Sequence, residues 1–162
     1  MNYYLDTEFD GPDGQLLSLG LIREDGASMY ATMRLAKPVL DPWVRNNVMP
    51  FLYHIPSTHI DYKLIDVKRS TLQNALEGFL SLDKDGLPNI VSDWPSDIVH
   101  FCSLLMPAPG QMLDIRAISF LIARVDAYPT TLIGAVQHNA YWDAMALWNH
   151  FRPEDNDNER LT

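Results

Sequence analysis

The sequence predicts an α/β layer fold built on one mixed sheet, and three observations lead there. Residues 3–9, 16–22 and 28–35 are apolar runs of strand length separated by the turn-prone stretches "GPDG" and "REDG", which reads as an antiparallel meander. Beyond residue 68 helical and strand patterns alternate, and that alternation lays helices over a sheet with parallel strands. The chain of 162 residues shows no internal repeat and no linker, so a single domain is expected over 1–152. A polar tail, "PEDNDNERLT" at 153–162, has nothing to bury.

The elements follow in order. From Lys37 to Asp61 the prolines Pro38, Pro42, Pro50 and Pro56 punctuate the chain, so short helical turns and loops are expected. In "STLQNALEGFLSL", Ser70 is placed to cap a helix whose inner face carries Leu72, Leu76, Phe79 and Leu80. The short apolar "LPNIVSD" fits a central strand. Ile98, Phe101, Cys102 and Leu105 recur at helical spacing before "PAPG" ends the run. A strand at "QMLDI" is expected to feed a helix with Ile118, Ile122 and Val125 inward. The last helix begins near Asn139 and carries Ala144, Leu147, Trp148 and Phe151.

Charge bounds the function. The formal net charge is -9, which excludes a broad basic surface that holds duplex nucleic acid by counterion release. It leaves room for a site in which divalent cations neutralise acids. No apolar run approaches the roughly 18 residues of a membrane span, and Asp6 and Glu8 interrupt what would be the apolar middle of a signal peptide. A cytoplasmic protein without membrane contact is expected, and the single Cys102 agrees with a reducing compartment. Neither a glycine-rich phosphate loop nor a Gly-x-Ser-x-Gly turn is present, which removes nucleotide-cofactor and serine-hydrolase chemistry.

The chemistry starts at "YYLDTEFD". Asp6 and Glu8 are two apart on a strand and project from the same face, where like charges repel unless a cation lies between them. Asp97 at the start of a later helix, then His138 and Asp143 in "QHNAYWDA", complete a set of four carboxylates and one imidazole. These are the ingredients for two hard divalent cations and a base. Oxygen ligands favour Mg²⁺ or Mn²⁺ over zinc. An imidazole with an ordinary pKa near 6.5 takes a water proton at neutral pH.

On these motifs the chain resembles the DEDDh 3′-5′ exonucleases of the ribonuclease-H-like fold. "LDTEF" is similar to the family's first motif, "DWPSDIV" to its second and "HNAYWDA" to its third. The small size and "DPWVRNNVMPFL" are similar to the compact bacterial and phage exoribonuclease branch. The resemblance implies a three-layer fold with strands 1–3 antiparallel and later strands parallel. It also implies two Mg²⁺ or Mn²⁺ ions on Asp6, Glu8, Asp97 and Asp143, with His138 as general base. Substrate contacts are implied at Phe9, with Thr7 and Asn139 beside it. The implied reaction removes nucleoside 5′-monophosphates from the 3′ end of RNA, in a single strand or an overhang. DNA is the alternative substrate and a homodimer the expected assembly, with Trp43 and Trp148 as an apolar patch.

Other readings stay open beside these. Asp93, four residues before Asp97, competes for the second-motif role; Asp97 is preferred because it begins the apolar helix face. Asp114 is read as a helix cap, and His54, His59, His100 and His150 share no spacing that suits zinc. Met106, Met112 and Met145 are read as core, as are Trp94 and Trp142, although either tryptophan could stack a base. Arg45, Lys63, Lys68, Arg69 and Arg116 are unranked candidates for phosphate contacts. A non-catalytic binding module on the same fold is the alternative of a different class.

Overall fold

A computed structural model of the chain describes residues 1–11, 13–56, 60–81 and 87–152. The strands are β1 (Asn2–Phe9), β2 (Leu16–Arg23), β3 (Ser28–Met33), β4 (Tyr62–Val67), β5 (Asn89–Ser92) and β6 (Ser119–Ile122). The helices are α1 (Pro42–Asn47), α2 (Arg69–Leu80), α3 (Pro95–Leu105) and α4 (Ala140–Phe151). The six strands make one sheet in the order β4-β3-β2-β1-β5-β6. β1, β2 and β3 pair antiparallel, whereas β3 with β4, β1 with β5 and β5 with β6 pair parallel. A mixed sheet flanked by helices is consistent with a ribonuclease-H-like fold.

Alternation along β1 sorts its side chains into two layers. Tyr3 and Leu5 meet Leu72, Leu76 and Phe79 of α2 and Phe101 and Leu104 of α3. Tyr4 points the other way, onto Val91 and Leu147 of α4, and Tyr141 and Ala144 of α4 pack on Ile22 and Tyr30. Each such large apolar side chain contributes about 1.5–3 kcal/mol on burial. Asp6 and Glu8 share the Tyr4 face, which α4 covers.

The close approach of α4 depends on Gly20. This residue pairs with Asp6 across β1 and β2, and a Cβ at that position would lie 2.0 Å from the Ala140 carbonyl oxygen. Only a residue without a side chain lets the start of α4 rest directly on the strand beside Asp6.

Several expectations are corrected. β4 has no counterpart in the sequence reading: "YKLIDV" buries little, and it forms the sheet edge by parallel pairing with β3. Residues 111–115 are not a strand, and the helix expected around Ile118, Ile122 and Val125 is replaced by β6. The i, i+4, i+7 spacing there misleads because all four residues of β6 are exposed at the other edge, so pairing with β5 holds the segment rather than side-chain burial. Asp114 therefore caps no helix and is exposed. On α3 the buried apolar side chains are Phe101, Leu104 and Leu105, with Ile98 and Cys102 half-buried. Met106 and Met112 are exposed rather than core, while Met145 packs at the margin of the α4 cluster. The expected tail, 153–162, and His59 lie outside the described residues. No helix among the described residues is long and apolar enough to cross a membrane.

Candidate functional site

The site forms where β1 outruns its neighbour. β1 pairs with β5 only through Asn2–Tyr4, so its second half projects past the carboxyl end of β5. The backbone N–H of Thr7, left without a strand partner on that side, donates to Asp97 Oδ1 at 3.2 Å, and the Thr7 hydroxyl donates to the same oxygen at 2.7 Å. Ser92, the last residue of β5, donates through Oγ to Asp97 Oδ2 at 2.8 Å. Asp97 is thus fixed at the first turn of α3 with 1% exposure, where a carboxylate also opposes the helix dipole. Thr7, expected as a substrate contact, lines the cavity, and its hydroxyl donates to Asp97.

At α4, Asn139 is the N-cap: its Oδ1 accepts from the Tyr141 and Trp142 N–H groups. Its own N–H donates to Asp143 Oδ2 at 3.0 Å, a reciprocal cap that sets the Asp143 rotamer. The Asn139 amide donates to the Phe51 carbonyl at 2.7 Å. With 0% exposure it is a buried tie between α4 and the turn after α1, and it does not line the cavity. Gly20 then carries this whole helix start to β1.

Carboxylate oxygens of Asp6, Glu8 and Asp143 lie within 4.8 Å of one another, and so do those of Asp6, Asp93 and Asp97. The two trios share Asp6. Asp93 therefore joins the cluster alongside Asp97 instead of replacing it. Burial pushes the Asp6 carboxyl well up, and the charges of Asp97, Asp143, Glu8 and Asp93 push it further. Glu8 is raised by burial and by Asp143 and Asp97. Asp97 and Asp143 are each pushed up to about 7, chiefly by burial. The charges that chiefly raise Asp6 are other carboxylates. An all-oxygen cluster in which several acids repel one another fits hard divalent cations such as Mg²⁺ or Mn²⁺.

His138 precedes the cap with φ of 58°, a left-handed conformation that non-glycine residues adopt at a cost and that recurs at functional sites. Its ring stands edge-to-face with Trp43, centroids 4.8 Å apart, and partial burial lowers its pKa. Burial thus favours the neutral imidazole. Trp43 is held by the Asp41 cap, whose Oδ1 accepts from the Trp43 and Val44 N–H groups, with Pro42 at the first helical position.

The carboxylates and His138 face a cavity of about 750 Å³ whose walls include Phe9, Trp43, Trp94 and Tyr128. Phe9 follows a register shift in β1 at Glu8/Phe9, the kind of irregularity that re-aims a side chain. Trp94 is half exposed on the cavity wall, with Arg124 over its ring at 4.6 Å, so its expected core role is corrected. Trp142 is buried and donates to the His54 carbonyl at 2.8 Å.

Two curated relatives match this chain. Both come from Mycobacterium tuberculosis and both are named 3′-5′ exoribonuclease. Each is 42% identical over 55 residues, a stretch that covers 32% of this chain and 33% of the relative. The match thus spans about a third of the relatives' own length. No protein-family model matches the chain.

Sequence reasoning missed Trp43 and Tyr128 as cavity walls. The Asp41-Pro42 pair was a legible helix start, but nothing in "DPWVRNN" says which cavity the tryptophan faces. Of the two tryptophans read as one apolar patch, Trp43 lines the cavity, whereas Trp148 donates to the Glu24 carbonyl and lies under Arg152.

Proposed function

We propose that the chain is a metal-dependent 3′-5′ exoribonuclease of the DEDDh type, hydrolysing the terminal phosphodiester of an RNA 3′ end. The observation that carries this reading is the pair of carboxylate trios sharing Asp6, set with the His138 imidazole in one cavity. The names of the two partial relatives support the direction of cleavage and the choice of RNA.

In this reading Asp6, Glu8 and Asp143 would hold one divalent cation, and Asp6 with Asp93 and Asp97 would hold a second. Bound Mg²⁺ or Mn²⁺ would supply positive charge for the oxygens of the reacting phosphodiester. His138 accepts the proton of the attacking water, a role that typically contributes about 10²- to 10⁴-fold. The water oxygen bonds to phosphorus as the bond from phosphorus to the 3′ oxygen of the preceding nucleotide breaks; that oxygen takes up a proton, balancing the one lost by the water, and a nucleoside 5′-monophosphate leaves. Phe9, Trp43, Trp94 and Tyr128 offer ring faces to the terminal bases, each stack worth about 1–3 kcal/mol. Thr7 and Ser92 hold Asp97 so that its charge stays in the cluster. A cytoplasmic location and a homodimer belong to the same proposal, checked by fractionation and light scattering.

The test is digestion of 5′- and 3′-labelled RNA and DNA oligonucleotides with Mg²⁺, with Mn²⁺ and with EDTA. The expected result is a ladder that shortens from the 3′ end of RNA and disappears in EDTA. Cleavage that persists in EDTA contradicts the reading, and so does a complete lack of cleavage with either metal.

A further inference from the structure

A second concavity, of about 340 Å³, reverses the charge of the molecule. Arg34 and Arg69 line it with His100, Ser103 and Gln15, and among the described residues no carboxylate does. The chain as a whole carries 21 acidic residues against 12 basic ones, so two arginines without an acid depart from its average surface. Among the described residues the ion pair is Arg23 with Asp25, which leaves both guanidinium groups of this pocket without a carboxylate partner.

The pocket adjoins the acidic cavity through one pair of rings. Phe9 lines the acidic cavity and His100 lines the second one, and the two rings stack with centroids 4.5 Å apart and planes 26° apart. Burial lowers the pKa of His100, so it offers a neutral ring while the arginines supply the charge. Arg69 is already oriented: its guanidinium donates to the Ser103 carbonyl and, at 3.0 Å, to Ser103 Oγ, joining the start of α2 to α3. A guanidinium has five donors, so this tie leaves others for an anion. A group fixed beforehand loses less freedom on binding.

We infer that this pocket is a phosphodiester subsite, in which Arg34 and Arg69 hold a backbone phosphate of the substrate strand on the 5′ side of the scissile bond. The inference rests on the exonuclease reading above. A strand whose 3′ end enters the acidic cavity brings further phosphates toward a cluster of carboxylates, and those phosphates need positive charge nearby. The acid-free pocket behind the Phe9–His100 wall provides it. Of the basic residues that the sequence left unranked, the pocket selects Arg69, and it adds Arg34.

The experiment compares a single-stranded heptanucleotide RNA with a nucleoside 5′-(p-nitrophenyl phosphate), whose single phosphodiester is the scissile one and which brings no further phosphate for the pocket. Both are assayed with Mn²⁺, using wild type, Arg34→Gln and Arg69→Lys. Arg34→Gln is expected to raise KM for the heptanucleotide about tenfold, the equivalent of about 1.4 kcal/mol, with kcat within about twofold. Its KM for the ester should move less than about twofold. The slope of log KM against log salt should fall by about 0.7, the value for one single-strand phosphate contact. Arg69→Lys keeps the charge but loses the fork, so it should raise heptanucleotide KM while the salt slope stays. A thermal melt of each variant separates unfolding from lost contact. An Arg34→Gln effect equal on both substrates overturns the subsite and leaves the nuclease reading intact. A wild type that hydrolyses neither substrate overturns both.

Discussion

Replacing Asp143 by Asn should stabilise the metal-free protein while removing its response to metal. The Asp143 carboxyl is lifted from an ordinary 3.8 to about 7, mainly by burial, with Asp93 and Asp97 adding repulsion. At about 1.4 kcal/mol per pH unit, forcing it to ionise costs at most about 4 kcal/mol. The same repulsion is shared with its neighbours and part of the cluster meets solvent, so we expect about 1–2 kcal/mol. Because the folded-state pKa is raised, the folded protein binds the extra proton. Its contribution to stability is whole below about pH 4 and is lost as pH rises through about 7. Asn keeps an oxygen to accept the Asn139 N–H and carries no charge. The variant should therefore melt about 2–8 °C above wild type at pH 8 in EDTA, with the gap closing toward pH 4. Wild type should gain stability on adding Mn²⁺ and the variant should gain far less. Differential scanning calorimetry reads both effects. A variant less stable than wild type at pH 8 in EDTA, or one with a full Mn²⁺ response, would refute the reasoning.

His138→Ala should lower kcat by about 10²- to 10⁴-fold yet retain the Mn²⁺-induced rise in melting temperature, because His138 belongs to neither carboxylate trio; loss of both together would make it a ligand. Gly20→Ala places a methyl group against the Ala140 carbonyl, so it should cost about 1–3 kcal/mol in stability and more than about tenfold in kcat as α4 moves away. Wild-type melting curves and activity in its presence would show that α4 tolerates the shift. Apparent Mn²⁺ affinity should rise between pH 6 and 8, since Asp97 and Asp143, raised to about 7, must release protons to bind the ion. Titration calorimetry that finds no pH dependence over that range would contradict this.

The gathering of the acids was more legible in the sequence than the periphery of the sheet. Asp6 and Glu8 could be placed on one face from strand alternation alone, and the hydrophobic spacing of α2 matches the stripe that helix buries on the sheet, whereas on α4 Ala144 and Leu147 are buried, Trp148 is half-buried and Phe151 is exposed. β4 and β6 were illegible for the converse reason: they are edge strands that bury little, all of β6 being exposed and only Tyr62, Leu64 and Val67 of β4 reaching the margin of the core, so the pattern that marks an inner strand is weak in both. Asp93 and Asp97 looked like rivals in one dimension. In three, the turn after β5 brings both to Asp6. Asn139 looked like a substrate contact beside His138, yet the cap it makes for α4 takes up its side chain. Gly20 gave no signal at all, since its role appears only once Ala140 is seen lying on it.

The most direct measurement is anomalous diffraction at the manganese edge from crystals grown or soaked with Mn²⁺. The account predicts two peaks about 3.5–4 Å apart, one among Asp6, Glu8 and Asp143 and one among Asp6, Asp93 and Asp97. Density elsewhere on the surface with none between these carboxylates would contradict it.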